Sequence, residues 1–197
     1  MPELKLDILR PATEQLLPLA VFLPGGAFIF SNRVNAYARR AFVAESGFVV
    51  ASVEYRTTTS NASYIDSIQD IRAALGHLVA HADDYGIDPR GVAVWGESAG
   101  GYLAAMTADP VTYLHANATE PSFLLLHGTA DVLIAPSQTQ RLHQALLAAG
   151  ADSTRYLLRG ANHGDLAIGD PEGALPWSST TTMGIITEFL HSHLDRR

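Results

Sequence analysis

Serine, aspartate and histidine recur in this chain in the settings that acyl-transfer chemistry requires. Ser98 sits in Gly96-Glu97-Ser98-Ala99-Gly100, Asp131 follows His127-Gly128-Thr129-Ala130, and His163 lies in Gly160-Ala161-Asn162-His163-Gly164. A serine hydroxyl attacks a carbonyl only when a neighbouring base takes its proton. Imidazole can be that base near neutral pH, and a carboxylate behind it fixes its tautomer and stabilises the imidazolium. The oxyanion that forms then needs preorganised N–H donors. The amide of Ala99, at the start of a predicted helix, is one candidate. The turn Pro24-Gly25-Gly26-Ala27, nearly bare of side chains, offers Gly25 and Gly26 as others. Taken alone, Ser98 is as well explained as a helix cap, because serine is favoured just before a helix. G-x-S-x-G is also a weak motif in a chain with 16 glycines.

The elements that must hold these residues can be read from periodicity. "LKLDILRP" alternates apolar and polar residues and stops at Pro11, which predicts an exposed, half-buried strand. "LAVFLPGG", "FVVASVEY", "GVAVWG", "SFLLLHG" and "TRYLLRG" are short apolar or β-branched runs, as buried strands are. Helical spacing covers roughly 35–46, 99–106 and 137–149. A longer helix is predicted from about Ser63 to Tyr85, with Ile65, Ile68, Ile71, Leu75, Leu78 and Val79 at helical spacing and Gly86 and Pro89 ending it. The C-terminal "TTMGIITEFLHSHL" places Met183, Ile186, Phe189 and Leu190 on one side.

Strands alternating with helices predict an α/β protein with a mainly parallel sheet covered on both faces. Ligands of such sheets bind at the carboxyl ends of the strands. Gly25-Gly26, Ser98, Asp131 and His163 each fall in the loop after a strand, in the chain order Ser, Asp, His. That shared placement turns the bland reading of Ser98 into a nucleophile. No repeat, low-complexity tract or linker interrupts the chain, so 1–197 reads as a single domain.

Composition narrows the partners. The chain has 197 residues, 47% hydrophobic and 17% charged, with a formal net charge of -7. Its 13 Lys and Arg form no dense run, which argues against nucleic acid or an anionic membrane as a partner. There is no cysteine, so disulfides and thiolate metal sites are excluded. No signal peptide or transmembrane segment is seen, and the expected compartment is the cytoplasm. His77 and His81 stand four apart on a helix, but Leu78 replaces the glutamate of H-E-x-x-H, so no metal site is expected. His127 reads as a support for the acid loop. Phe28, Phe30 and Tyr102 fit either an acyl pocket or the core. The oligomeric state stays open, with a homodimer one of the arrangements allowed.

These stretches carry a resemblance. "VFLPGGAF" resembles the oxyanion loop of the α/β-hydrolase superfamily, "VWGESAGGYLAA" its nucleophile elbow, "LLLHGTADVLI" its acid loop and "GANHGD" its histidine loop. Within the superfamily the chain resembles the hormone-sensitive-lipase-like and acetyl-esterase branch over nearly its whole length. The resemblance implies an α/β-hydrolase fold, with Ser98 as nucleophile, Asp131 as orienting acid and His163 as base. It also places Gly25, Gly26 and Ala99 at the oxyanion hole. It implies a serine carboxylesterase acting on a small-molecule ester through an acyl-enzyme, without metal or organic cofactor. An amidase or peptidase with the same residues, or an inactive binding protein on the scaffold, are the alternatives.

Two departures stand out. Pro24 and Ala27 replace the histidine and the last glycine of the commonest oxyanion loop. Only 32 residues lie between Ser98 and Asp131, an interval that normally holds a further strand and helix. Because unpaired ladder groups in a buried sheet are costly, the strand before Asp131 is expected to pair directly with the strand before Ser98. The alternative is a segment missing between Met106 and Tyr113. The chain also begins at its first strand, so the site is expected to be shortened and without a cap, open to small acyl groups.

Overall fold

The computed structural model describes residues 4–108, 121–165 and 175–195. It resolves into two compact units, Met1–Asp109 with Leu190–Arg197, and Pro110–Phe189.

In the first unit four strands form a sheet in the order β1-β3-β2-β4: β1 (Leu6–Leu9), β2 (Leu17–Leu23), β3 (Val49–Val53) and β4 (Ile87–Gly96). β2 runs parallel to both β3 and β4, whereas β1 is an antiparallel edge on β3 with Leu6 opposite Val53. The alternating "LKLDIL" run fits that edge: Leu6 and Ile8 pack on the core, while Asp7 between them pairs with Arg33. Every residue of β3 and Leu19–Leu23 of β2 are buried, as continuous apolar runs of a doubly covered sheet should be.

One face of β2 and β3 presents Leu19, Val21, Leu23, Val49, Ala51 and Val53 to a core that includes Ile68, Ile71 and Leu78 of α2 (Tyr64–Ala80) and Leu103 of α4 (Ala99–Ala108). Each buried Leu, Ile or Val among them contributes about 1.5–3 kcal/mol by leaving water. The other face carries Ala20, Phe22 and Val50, equally buried, and α1 (Tyr37–Glu45) packs on β3. Phe22 meets Trp95 of β4 edge-on with ring centroids 4.7 Å apart.

The long helix expected over 63–85 breaks at His81, whose φ of -113 leaves the helical range. The chain continues as α3 (Ala82–Tyr85) and stops at Gly86, which has φ 68. Ser63 begins α2 with a capping box: its hydroxyl accepts from Asp66 N–H, and the Asp66 carboxylate accepts from Ser63 N–H. Of the helical positions read from the sequence, Ile68, Ile71 and Leu78 are buried, whereas Ile65 and Val79 face water. β4 starts at Ile87, earlier than the "GVAVWG" run suggests, and takes Pro89 into an irregular stretch of the ladder opposite Pro18 and Leu19.

In the second unit β5 (Phe123–Gly128) and β6 (Ser153–Leu158) run parallel in register from Phe123/Ser153 to Gly128/Leu158, with α5 (Ser137–Ala148) packed on them. The last helix, α6 (Thr180–Leu194), passes from the second unit to the first at Leu190; Met183, Ile186 and Leu190 are buried and Phe189 is half-buried.

Among the described residues β4 is laddered to β2, and β5 to β6. The stretch where a missing segment was suspected, 109–113 in particular, lies outside the described residues. No helix among the described residues is long and apolar enough to cross a membrane.

The packing predicts a contrast on one helix. Ile71→Ala should lower the unfolding free energy by about 2–5 kcal/mol, and Val79→Ala by no more than about 0.5 kcal/mol. Urea unfolding midpoints of the two variants check this, and equal shifts would contradict the assigned faces of α2.

Candidate functional site

The turn from β4 to α4 is made by close backbone approach. A β-carbon at Gly96 would collide with the carbonyl of Gly100, and one at Gly100 with the carbonyls of Leu23 and Pro24. Only glycine fits at either place, which is the physical content of the two glycines around Ser98. Between them Ser98 has φ 51, a left-handed backbone, where a capping serine is extended. Ser98 thus stands at the start of α4 without the extended backbone typical of a capping serine. Glu97 N–H donates to the Leu23 carbonyl (3.2 Å) and Tyr102 N–H to the Ser98 carbonyl (3.0 Å), fixing the turn at both ends.

The loop after β2 lies against this turn. A β-carbon at Gly25 would stand 3.2 Å from Ser98 Cβ and 3.0 Å from the Glu97 carbonyl. Gly25 is thus beside the serine because it has no side chain. The Gly26 carbonyl accepts from Ile29 N–H (2.8 Å) and Phe30 N–H (3.2 Å), closing a tight turn. Ala27 and Phe28 inside it are left-handed, with φ 53 and 60. Such backbone costs about 1–2 kcal/mol per residue for an L-amino acid. Among the described residues the N–H groups of Gly25 and Gly26 find no acceptor. Ala99 N–H, in the first turn of α4, is one of the amides that helix geometry leaves without an intrahelical partner.

Sequence reasoning gave Phe28, Phe30 and Tyr102 equal claims on pocket and core. Tyr102 is 47% exposed and Phe30 57% exposed. Phe28 packs edge-on against Tyr102 (centroids 5.7 Å apart), and Tyr102 against Tyr64 at 6.0 Å. Since Tyr102 lies one helical turn after Ser98, these rings form a half-open aromatic wall near the serine. A partner that sequence did not reveal is Arg39 of α1, whose Nη2 pairs with Glu97 Oε2 at 2.7 Å.

In the second unit Asp131 and His163 meet. His163 Nδ1 is 2.8 Å from Asp131 Oδ2, and the aspartate side chain is 4% exposed. An ionised carboxylate only accepts, so Nδ1 carries the hydrogen and Nε2 is the atom that takes up a proton. Asp131 Oδ1 accepts from Leu133 N–H (2.9 Å) and Ile134 N–H (2.8 Å). Burial pushes the Asp131 carboxyl up, but the hydrogen bonds from Ile134, His163 and Leu133 outweigh it and hold it below the usual carboxylate range. It is therefore ionised at neutral pH.

Two further residues tie the pair together. Asn162 Oδ1 accepts from His163 N–H (2.8 Å) and Val132 N–H (3.1 Å), joining the acid loop to the histidine loop. His127 supports the acid loop, as expected. Its Nε2 lies 2.9 Å from the Ile134 carbonyl and 3.2 Å from Asp131 Oδ2, and Thr139 Oγ1 meets its Nδ1 at 3.1 Å. Asn162 was not singled out because its contacts span 30 residues and leave no local pattern. The other histidine pair stacks at a helix end: His77 Nε2 meets the Tyr85 hydroxyl and His81 Nδ1 the His77 carbonyl.

In each unit parallel strands carry these loops at their carboxyl ends, as the strands of the α/β-hydrolase fold do. The BD-FAE family profile matches residues 6–109, just over half of the chain, and the chain belongs to that family, in the hormone-sensitive-lipase-like branch of the α/β-hydrolases. It is 36% identical over 92 residues to the Mycobacterium tuberculosis protein named "Probable carboxylic ester hydrolase LipM", covering 46% of this chain and 21% of that one. Esterase LipC of the same organism is 34% identical over 90 residues, covering 45% and 22%. The match thus spans about a fifth of the length of these curated relatives. Among solved structures, Thermogutta terrifontis esterase 2 with propionate bound superposes with a TM-score of 0.82 at 21% identity, covering 100% of this chain and 92% of that one.

Two glycine substitutions should act in opposite directions. Gly100→Ala forces backbone apart at the elbow and should destabilise by about 1–3 kcal/mol. Gly76→Ala on α2, where a β-carbon meets nothing within 4 Å, should stabilise by about 0.5–1 kcal/mol. Thermal unfolding of both variants checks the signs, and a stable Gly100→Ala would contradict the close approach.

Proposed function

We propose that this chain is a serine esterase for short-chain carboxylic esters, with Ser98 as nucleophile, His163 as general base and acid, and Asp131 as the orienting acid. The observation that carries the reading is the left-handed Ser98 held against the Gly25 loop, with N–H donors gathered around it. The ionised Asp131 on His163 Nδ1 supplies a base of the right tautomer.

The reaction balances with ester and water alone. Ser98 Oγ bonds to the carbonyl carbon as its proton passes to His163 Nε2, and the carbonyl π pair moves onto oxygen. The amides of Ala99, Gly25 and Gly26 stabilise that oxyanion. Its collapse breaks the bond to the alcohol oxygen, which takes the proton from His163. Water then repeats the sequence on the acyl-enzyme and releases the acid.

A short acyl group is favoured because the Thermogutta esterase has been solved with propionate and with butyrate bound. The relatives named a probable carboxylic ester hydrolase and an esterase support the bond type. The reading treats 1–197 as one catalytic domain.

p-Nitrophenyl esters of increasing acyl length test it. Wild type should cleave the acetate well above background, with kcat/KM falling as the chain lengthens. Ser98→Ala should lower kcat by about 10⁴-fold or more, and Asp131→Asn by about 10⁴-fold, because asparagine forces the wrong imidazole tautomer. Equal, near-background rates for wild type and Ser98→Ala would leave only the inactive-scaffold reading.

A further inference from the structure

The carbonyls of the oxyanion loop are held by one short run of hydroxyl residues after β3. Tyr55 Oη donates to the Pro24 carbonyl at 2.5 Å. Thr58 donates to the Phe28 carbonyl twice, from N–H and from Oγ1, each at 2.9 Å. Thr57 Oγ1 (2.9 Å) and Thr59 Oγ1 (3.0 Å) both reach the Ile29 carbonyl. The run is itself anchored. Arg56 Nε and Nη2 grip the Asp70 carboxylate of α2, Asp70 Oδ2 also accepts from Arg56 N–H, and Ser67 Oγ donates to the Arg56 carbonyl.

We infer that Tyr55, Thr57, Thr58 and Thr59 are positioning residues that clamp the 24–30 loop, so that its amides are preorganised for the oxyanion of the ester hydrolysis proposed above, on which this inference rests. The peptide unit is planar and trans, so its C=O and N–H point in opposite directions. Pinning the Pro24 carbonyl therefore sets the direction of Gly25 N–H. The Gly26 carbonyl, held by Ile29 and Phe30 N–H, sets Ala27 N–H in the same way.

The loop needs such a clamp because Ala27 and Phe28 are both left-handed, a conformation that persists only when the surroundings over-determine it. Ala27 stands where the commonest oxyanion loop has a glycine, which would adopt that backbone without help. Tyr55 is suited to its part. It is 3% exposed, and burial pushes its hydroxyl up to about 12, so it stays a donor across the working pH range.

The test uses the intact chain. Thr58→Val with Thr59→Val removes two hydroxyls at exposed positions, where folding should be little affected. Tyr55→Phe deletes one oxygen and keeps the ring. Thr58→Ser with Thr59→Ser keeps both hydroxyls. Each is assayed on p-nitrophenyl acetate and with a trifluoromethyl ketone, which binds serine hydrolases by forming an oxyanion adduct.

The clamp predicts that the Val pair and Tyr55→Phe each lose about tenfold to hundredfold in kcat with KM little changed, and that affinity for the ketone weakens in parallel. The Ser pair should stay close to wild type. Wild-type kcat and ketone affinity in the Val pair, or an equal loss in the Ser pair, would overturn the clamp while leaving the esterase reading intact. A wild type with no Ser98-dependent hydrolysis overturns both. Should Tyr55→Phe fail to fold, the exposed threonine pair decides.

Discussion

Ser98 holds a left-handed backbone where β4 turns into α4, and the turn closes there only because Gly96 and Gly100 have no side chain to collide with the neighbouring carbonyls. Much of the first unit follows from that constraint. The parallel ladder of β2 with β4 brings Leu23 opposite Gly96, so the two loops leave the sheet side by side. The Gly25 loop then touches the serine. Three left-handed residues, Ala27, Phe28 and Ser98, together cost roughly 3–6 kcal/mol. That is a large share of the 5–15 kcal/mol by which domains are stable. Hydrogen bonds contribute about 0.5–1.5 kcal/mol each, so it takes several, placed on the right carbonyls, to hold such a loop.

The second unit solves a different problem: keeping a carboxylate ionised while it is almost fully out of water. Asp131 does this with three donors, two backbone amides on one oxygen and the His163 imidazole on the other. Asn162 bonds to both the acid loop and the histidine loop, so the placement of His163 does not depend on the Asp131 contact alone.

Nearly all the strands and helices were legible in the sequence, and the reason is locality. The apolar runs ending in Gly or Pro, and the i, i+3, i+7 spacing of Ile68, Ile71 and Leu75, are signals within one element. Loops after strands could be singled out for the same reason. What the sequence hid was long-range. Arg39 pairs with Glu97 across 58 positions, and Tyr55 reaches Pro24 across 31. The break of the long helix at His81 was also missed, because the apolar spacing continues as far as Val79 and Gly86 looked like the first stop.

The central claim is that Ser98 is a nucleophile activated in place, and covalent labelling measures that most directly. A phosphorylating ester such as paraoxon, which modifies the Thermogutta esterase, reacts with a serine only where a base and oxyanion donors surround it. The account predicts stoichiometric release of p-nitrophenol and, by peptide mass mapping, a single adduct on Ser98 that disappears in Ser98→Ala. Labelling of another residue, or no labelling of the folded wild-type chain, would contradict it.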